Sequence, residues 1–194
     1  MPSLPTDSVA AWAGGAHKRV LAVGMLKTPK DFPLLIRAFS LLRAQVDARL
    51  LILGEGTERA RLEKLVHELG LQGMVMLPGY VADTAPFYAQ SDLFVLSSDH
   101  EGFGNVIVEA LEQGCPVVST DCPSGPREIL TDGRCGRLVP VGDVAALAAA
   151  MQESLASAHD HDALRARAQD FSVSRISDQY LDLLLPGWRE GRTA

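Results

Sequence analysis

Residues 92–120, DLFVLSSDHEGFGNVIVEALEQGCPVVST, contain two short apolar segments on either side of an amphipathic one. The flanking segments DLFVLSS and PVVST have the length and composition of buried strands. Between them, residues 105–114 place Ile107, Ala110 and Leu111 on one face of a helix. A strand, a helix and a second strand in this order predict two parallel strands joined by a crossover helix.

The same alternation of apolar and amphipathic segments extends along most of the chain. Six apolar strands separated by helices indicate a parallel sheet that is covered on both faces, with right-handed crossovers. We therefore predict an α/β fold with a doubly wound, six-stranded, Rossmann-like sheet. The predicted strands are residues 20–24, 48–54, 74–79, 92–98, 116–120 and 136–139, and the predicted helices are residues 34–46, 58–70, 84–90, 105–114, 125–130, 144–157, 162–169 and 172–185.

Length and composition bound the organisation of the chain. Its 194 residues suit one fairly large domain or two very small ones, and 47% hydrophobic and 22% charged residues are typical of a globular protein. Residues 1–18 combine Pro2, Pro5, Gly14 and Gly15 without any period, so we predict a linker or extended segment there. Residues 19–194 are predicted to form one Rossmann-like domain that ends in a helical tail.

The charge balance excludes one class of partner. A net charge of -6 and a pI near 5.3 argue against nucleic acid, although local charges can still hold a small phosphate compound. The first residues lack the regions of a secretion signal, and no run of 18 apolar residues occurs. Three cysteines without metal-ligand spacing indicate reduced, structural thiols. We therefore expect a cytoplasmic protein without a metal site.

Ligands of doubly wound sheets bind beyond the carboxyl ends of the strands, so the candidate site lies in loops. In the loop EGFGN, residues 101–105, Gly102 and Gly104 let a ligand approach the backbone, and the next helix offers free amides to an anion. Glu109 lies one turn into that helix, opposite its core face, and Glu101 precedes the glycines; both could accept hydrogen bonds from ligand hydroxyls. From spacing alone, solvated carboxylates and glycines that serve only packing stay open as the alternative.

The loop and its two glutamates resemble the E-x7-E motif of the retaining GT-B glycosyltransferases, family 4 in the usual classification. The segments VGMLKTPKDFPLLIRAF, LLILGEGTERARLE, GCPVVSTDCPSGPREIL and FSVSRISDQYLDLL resemble other parts of the family in the correct order. By contrast, the first strand is followed by GMLKTP and not by G-x-G-x-x-G, and a Walker lysine loop is absent. The resemblance covers residues 18–185 and implies the donor-binding, C-terminal half of such an enzyme.

The resemblance implies a role for each matching residue. Glu109 would hold the ribose hydroxyls of a nucleotide-sugar, and Lys30 would pair with its diphosphate. Glu101 and Lys30 are the implied catalytic residues; Lys30 would stabilise charge on the departing diphosphate, which lowers the barrier. No metal or other cofactor is implied; the donor is expected to be a UDP- or GDP-sugar whose hexosyl group is transferred with retention. The other implied donor contacts are Gly24, Gly102, Phe103, Gly104 and Asn105, together with Gly79, Tyr80 and Val81 at the base.

Two departures from the family pattern stand out. Met25 occupies the position where the family usually has an arginine, five residues before Lys30. Loss of one charged hydrogen bond would weaken diphosphate binding by roughly 1.5 to 3 kcal/mol. The chain also matches only one of the two Rossmann-like domains of such enzymes. We therefore expect an N-terminal acceptor domain as a partner, and inefficient transfer by this chain alone.

These departures leave a non-catalytic nucleotide-binding or regulatory module open as a second function. A nucleotide-sugar epimerase relative is a third, because the resemblance implies the GT-B architecture that such epimerases share. The expected partners are a nucleotide-sugar and the acceptor domain, which could mediate peripheral membrane association. The last predicted helix carries Ile176, Tyr180, Leu183 and Leu184. Its apolar face is a candidate contact for a partner or for a homodimer.

Overall fold

The fold predicted from the sequence is confirmed in the structure, a computed structural model that describes residues 6–185 and Trp188. Six parallel strands form one sheet in the order β3-β2-β1-β4-β5-β6. The strands are β1 (Lys18–Val23), β2 (Ala48–Leu53), β3 (Val75–Gly79), β4 (Leu93–Leu96), β5 (Val117–Thr120) and β6 (Arg137–Val139). The helices are α1 (Thr6–Ala13), α2 (Phe32–Arg43), α3 (Arg59–Glu68), α4 (Ala85–Gln90), α5 (Asn105–Glu112), α6 (Pro126–Ile129), α7 (Val144–Ala156), α8 (His161–Gln169) and α9 (Val173–Leu184).

Helix α2 begins two residues earlier than the sequence pattern predicts. Pro33 occupies its first turn, where the missing amide of proline has no cost. Asp31 precedes the helix in a left-handed conformation, and its carboxylate accepts a hydrogen bond from the amide of Leu34 at 3.2 Å. This cap satisfies a free amide and fixes where the chain turns from the loop after β1 into the helix.

The sheet is buried on both faces because successive residues of each strand point to opposite sides. In β1, Val20 and Ala22 pack against α2, α3 and α7, whereas Leu21 packs on the other side with α4, α5 and α8. All three side chains are fully buried. The strands are therefore apolar at nearly every position because a hydrophobic core covers each face of the sheet.

The strand order reverses between β1 and β4. Strands β1, β2 and β3 extend to one side, and β4 returns to pair with the free edge of β1, with Val20 opposite Leu93 and Leu21 opposite Phe94. The loops that follow β1 and β4 both begin at the carboxyl end of the sheet at this point, which is where doubly wound sheets bind ligands. The residues after Val23 and after Leu96 are therefore brought together.

The segment before β1 differs from the sequence prediction. The sequence predicts a linker or extended segment over residues 1–18, but Thr6–Ala13 form a helix; residues 1–5 lie outside the described part. Trp12 is fully buried, its ring lies 6.2 Å from that of Phe87, and its Nε1 donates to the carbonyl of Val20 at 3.2 Å. One buried tryptophan thus anchors a helix too short to show a helical repeat.

The last helix presents an apolar face, as the sequence predicts. None of its residues is buried, and Tyr180, Leu183 and Leu184 are all more than 60% exposed, whereas Ile176 is half-buried. A homodimer or partner contact through this face stays a prediction. Within residues 6–185, no helix combines the length and the hydrophobicity that crossing a bilayer requires.

The turn after β2 depends on a close contact between two loops. Gly54 has a φ of 149°, a conformation that residues with a Cβ rarely adopt, and a Cβ at this position would overlap the carbonyl oxygen of Gly24. The amide of Leu26 also donates to the carbonyl of Glu55 at 2.9 Å. The loops after β1 and β2 therefore lie directly against each other.

We predict that Trp12→Ala lowers the free energy of unfolding by about 3 to 5 kcal/mol, because it leaves a cavity and removes the hydrogen bond from the indole to the carbonyl of Val20. Chemical denaturation followed by circular dichroism measures the change. The control is Val173→Ala on α9, where the side chain is 84% exposed and a change of less than about 0.5 kcal/mol is expected. Equal effects of the two substitutions would show that α1 does not pack as described.

Gly54→Ala is expected to lower the free energy of unfolding by at least about 2 kcal/mol, since the backbone must leave its conformation and the loop after β1 must shift. Gly102→Ala is the matched control, because nothing lies within 4 Å of a Cβ at that exposed glycine. Its expected effect is within about 0.5 kcal/mol. Denaturation midpoints of the two variants, measured side by side, test the contact.

Candidate functional site

An ion pair joins the loop after β1 to the loop after β4, at the point where the strand order reverses. Lys30 ends a short 3₁₀ turn, Thr28–Lys30, after β1, and its Nζ donates to Oε1 of Glu101 at 2.6 Å. The two side chains are only 20% and 9% exposed, so solvent screens the pair weakly. The sequence analysis assigned both residues to one site, and the structure brings them together across 71 positions of the chain.

Two serines at the end of β4 hold both members of this pair. Ser98 donates from its hydroxyl to Oε1 of Glu101 at 2.6 Å, the same oxygen that receives Lys30. Ser97 donates to the backbone carbonyl of Lys30 at 2.8 Å. Both serines are buried, and a buried hydroxyl needs a partner. The position of Lys30 and the orientation of Glu101 are therefore fixed by consecutive residues of one loop.

Strand β5 supports this loop from the other side. The hydroxyl of Thr120, which is fully buried, donates to the carbonyl of Ser98 at 2.5 Å. Cys122 lies in the loop after β5, and burial, together with the charge of Glu101, raises the pKa of its thiol. A neutral, buried thiol is a poor nucleophile. Cys122 therefore belongs to the packing of the site, as the sequence predicts for the cysteines, which are free.

Helix α5 begins directly after the loop that carries Glu101. Gly104 precedes the helix with a φ of 92° and has no side chain that could cap the first amides, and the first turn contains no acidic residue. Such an end carries a partial positive charge and free donors, which favours an anion. Gly125 packs so tightly against this loop that a Cβ there would overlap the carbonyl of Phe103. The backbone of residues 102–105 is thereby held in place.

Glu109 lies in the second turn of α5 and is half-buried. Its Oε2 accepts a hydrogen bond from the hydroxyl of Tyr88 at 3.1 Å. The carboxylate is therefore not a freely solvated group of the helix surface. Asn105, an implied donor contact at the start of the same helix, is exposed.

A cavity of about 370 Å³ lies beside the ion pair, at the ends of β1, β2 and β3. It brings together the predicted residues Gly24, Tyr80 and Val81 with Met25 and Glu55. A Cβ at Gly24 would lie 3.4 Å from Cε of Lys30, so the cavity and the ion pair are adjacent. Hydrogen bonds from Arg59 lower the pKa of Glu55, which stays negatively charged at the cavity rim.

Four supporting residues were missed by the sequence analysis as parts of the site: Ser97, Ser98, Thr120 and Tyr88. The signal for the first three was present, because hydroxyl side chains end two otherwise apolar strands. Tyr88 lies in a segment interpreted only as a helical turn. A buried phenol needs a hydrogen-bond partner, but the sequence does not indicate which residue provides it.

Comparison with known proteins identifies the family to which this chain is similar. A family model described as glycosyl transferases group 1 matches residues 17–157. The chain is 39% identical over 170 residues to a lipopolysaccharide core biosynthesis glycosyltransferase, LpsE, of Rhizobium meliloti; the match covers 85% of this chain and 49% of that protein. It is 35% identical over 173 residues to the N-acetylgalactosamine-N,N'-diacetylbacillosaminyl-diphospho-undecaprenol 4-alpha-N-acetylgalactosaminyltransferase of Campylobacter jejuni, covering 87% and 47%.

A solved structure, HepE from Anabaena in complex with UDP, aligns with a TM-score of 0.77 at 27% identity, over 94% of this chain and 53% of that one. The chain therefore spans about half the length of the relatives it matches. Its sheet corresponds to one Rossmann-like half of a GT-B glycosyltransferase. Because the family model matches well over half of the chain, this protein belongs to the glycosyl transferases group 1 family.

Proposed function

We propose that this domain binds a nucleoside diphosphate sugar and is the donor half of a retaining, family 4 glycosyltransferase that transfers a hexosyl group. The observation on which this rests is the arrangement of Lys30, Glu101 and Ser98 beside the uncapped amino end of α5. A cation, a carboxylate and free amides at one switch point suit a ligand that is anionic at one end and rich in hydroxyls at the other.

Lys30 pairs with the diphosphate in this proposal. Its ammonium is a point charge on a flexible stem, so it can turn from Glu101 towards a phosphate oxygen. Glu101 then keeps the hydrogen bond from Ser98, so its largely buried carboxylate is not left without a partner. Glu101 becomes free to accept a hydroxyl of the donor sugar, together with the backbone of residues 102–105.

Transfer requires that negative charge on the departing diphosphate be stabilised. The first amides of α5 are held in place by the fold, and Lys30 pairs with the diphosphate when the donor binds, so both groups are in position before charge develops on the leaving group. Both lie in loops fixed by the buried hydroxyls of Ser97 and Thr120. The groups of this chain that are proposed to act in catalysis are therefore Lys30, as the electrostatic stabiliser, and Glu101, at the donor sugar.

Glu109 and the adjacent cavity bind the nucleoside. Glu109 accepts the ribose hydroxyls, and the cavity at Gly24 and the turn of residues 79–81 receives the base. HepE from Anabaena has been solved with UDP and with UDP and glucose, which supports a UDP-sugar as the first donor to test. A GDP-sugar is the other candidate, since the base contacts proposed here are largely main-chain.

The acceptor is proposed to bind elsewhere. The matched region is about half of each relative, which supports a two-domain active site with the acceptor residues in a second domain. Sugar transfer by the whole enzyme then requires both domains, whereas donor binding is a property of this one.

Met25 favours a second candidate function, that of a nucleotide-binding module without catalysis. Its side chain is 57% exposed and lines the cavity next to Lys30, where it adds no charge to the diphosphate site. A module of this kind would bind a nucleoside diphosphate and would not transfer sugar even with a second domain supplied. Nucleotide affinity and transfer are therefore measured separately.

We predict that the chain binds UDP, and that Glu109→Gln weakens binding about tenfold or more, because each charged hydrogen bond to a ribose hydroxyl is lost or weakened. Glutamine keeps the volume of the side chain and can still accept from Tyr88. Isothermal titration calorimetry with UDP, GDP and ADP measures the affinities and identifies the base.

The matched control is Glu112→Gln, which removes the same charge from an exposed position one turn further along α5. This variant should bind within about twofold of the native chain, since surface changes of this kind have small effects. Equal weakening by both variants would mean that charge alone, and not a contact at Glu109, sets the affinity. No saturable binding of any of the three nucleotides at millimolar concentration would overturn the proposal.

Met25→Arg is predicted to strengthen UDP binding roughly tenfold at low salt, because it adds one charged hydrogen bond to the diphosphate. The gain should shrink as the ionic strength rises, since Met25 is exposed and solvent ions screen the new charge. Met25→Leu, which adds no charge, is the control and should leave the affinity unchanged. A tenfold gain for uridine as well as for UDP would contradict a contact with the diphosphate.

A further inference from the structure

Tyr88 is a buried polar residue outside the set of residues that the proposed function uses. It lies on α4, it is 1% exposed, and its ring packs edge-on against Phe94 with the ring centroids 5.3 Å apart. A ring in this position is fixed by its neighbours. Its hydroxyl is therefore presented from a rigid support.

The partner of that hydroxyl is Glu109. Tyr88 donates to Oε2 at 3.1 Å, and within residues 6–185 this is the one hydrogen bond that the Glu109 carboxylate receives. The contact joins α4 to α5, which pack side by side. Oε1 of Glu109 and the remaining lone pair of Oε2 stay available to a ligand.

The direction of this hydrogen bond does not change with ordinary pH. Burial raises the pKa of Tyr88, and the negative charge of Glu109 raises it further. The phenol therefore stays protonated, and its hydroxyl can serve as a constant donor to the carboxylate. A glutamate has three side-chain torsions, and a fixed donor at one carboxylate oxygen restricts the last of them.

We infer that Tyr88 is a positioning residue that holds the Glu109 carboxylate in the orientation in which it receives the ribose hydroxyls. The inference rests on the proposed function and extends it to a residue that does not itself touch the ligand. Tyr88 acts only through Glu109, so its contribution appears only with ligands that use Glu109.

A simpler role predicts something different. If Glu109 merely satisfies the buried phenol, removing the hydroxyl alters stability and leaves nucleotide selectivity unchanged. If Tyr88 orients Glu109, removing the hydroxyl lowers the affinity for nucleotides with ribose hydroxyls and leaves the affinity for nucleotides without them unchanged. The two roles therefore separate on the chemistry of the ligand rather than on the stability of the protein.

The experiment compares UDP with 2′,3′-dideoxy-UDP by calorimetric titration of the 194-residue chain. Four proteins form the double-mutant cycle: the native chain, Tyr88→Phe, Glu109→Gln and the double variant. Tyr88→Phe keeps the ring and its contact with Phe94 and removes one oxygen atom. Leu42→Ala is the control, because it destabilises the core on the other face of the sheet and leaves the contact between Tyr88 and Phe94 intact.

Tyr88→Phe is expected to weaken UDP binding about 3- to 10-fold, in keeping with the loss of one hydrogen bond to a charged group. Binding of the dideoxy nucleotide should change less than about 2-fold. In the double variant, UDP affinity should equal that of Glu109→Gln within about 2-fold, because two residues that act through one contact are not additive. Leu42→Ala should lower the melting temperature and change both affinities equally or not at all.

The inference is overturned if Tyr88→Phe weakens both nucleotides equally, weakens neither, or adds fully to Glu109→Gln. Suppose that the native chain binds UDP and that Glu109→Gln weakens this binding, but Tyr88→Phe does not. That result would overturn this inference and leave the proposed function standing. Failure of the native chain to bind any nucleoside diphosphate would overturn both.

A second measurement keeps the test valid if Tyr88→Phe does not fold. The chain has three tyrosines, so ¹³C-labelled tyrosine gives one resolvable Cζ resonance for each in the native protein. UDP should shift the Tyr88 resonance because it changes what Glu109 accepts, whereas dideoxy-UDP should leave it in place. Equal shifts with both nucleotides would contradict the inference.

Discussion

The pairing of β4 with the free edge of β1 is the constraint on which the candidate site depends. Only two registered pairs join the strands, Val20 with Leu93 and Leu21 with Phe94. They bring the loop after β1 and the loop after β4 to one end of the sheet, which places Lys30 within 2.6 Å of Glu101. A different strand order would separate these side chains. The topology, rather than either loop alone, therefore creates the ion pair.

Hydrogen bonds from buried hydroxyls offset part of the cost of burying this ion pair. Removing two charges from water is costly unless they are paired and the remaining polar atoms find hydrogen bonds. Glu101 receives both the ammonium of Lys30 and the hydroxyl of Ser98, and Thr120 fixes the carbonyl of Ser98 in turn. Apolar residues at these strand ends would fill the space equally well and would leave the carboxylate dependent on Lys30 alone. The hydroxyls thus let Lys30 leave Glu101 for another anion.

Local sequence patterns predicted the parts of the structure that depend on neighbouring residues. Apolar runs located all six strands, and the spacing of Glu101 and Glu109 located the loop and helix of the candidate site. The helix at Thr6–Ala13 was not predicted, because its order depends on one tryptophan buried against residues distant in sequence. The bond from Tyr88 to Glu109 was missed for the same reason. Such contacts exist only once the fold has brought the elements together.

The two glutamates of the site differ in electrostatic character although they lie only eight residues apart. Glu101 is matched by the cation of Lys30, so the pair is close to neutral for a ligand that approaches it. Glu109 is matched by a neutral phenol and keeps its full negative charge. A diphosphate would be repelled by Glu109 and attracted by the uncapped amides of α5, whereas a ribose hydroxyl would be attracted by Glu109. A nucleotide-sugar bound as proposed would therefore be oriented by the division of charge between the two ends of the site, and a net charge of -6 does not prevent local binding of an anion.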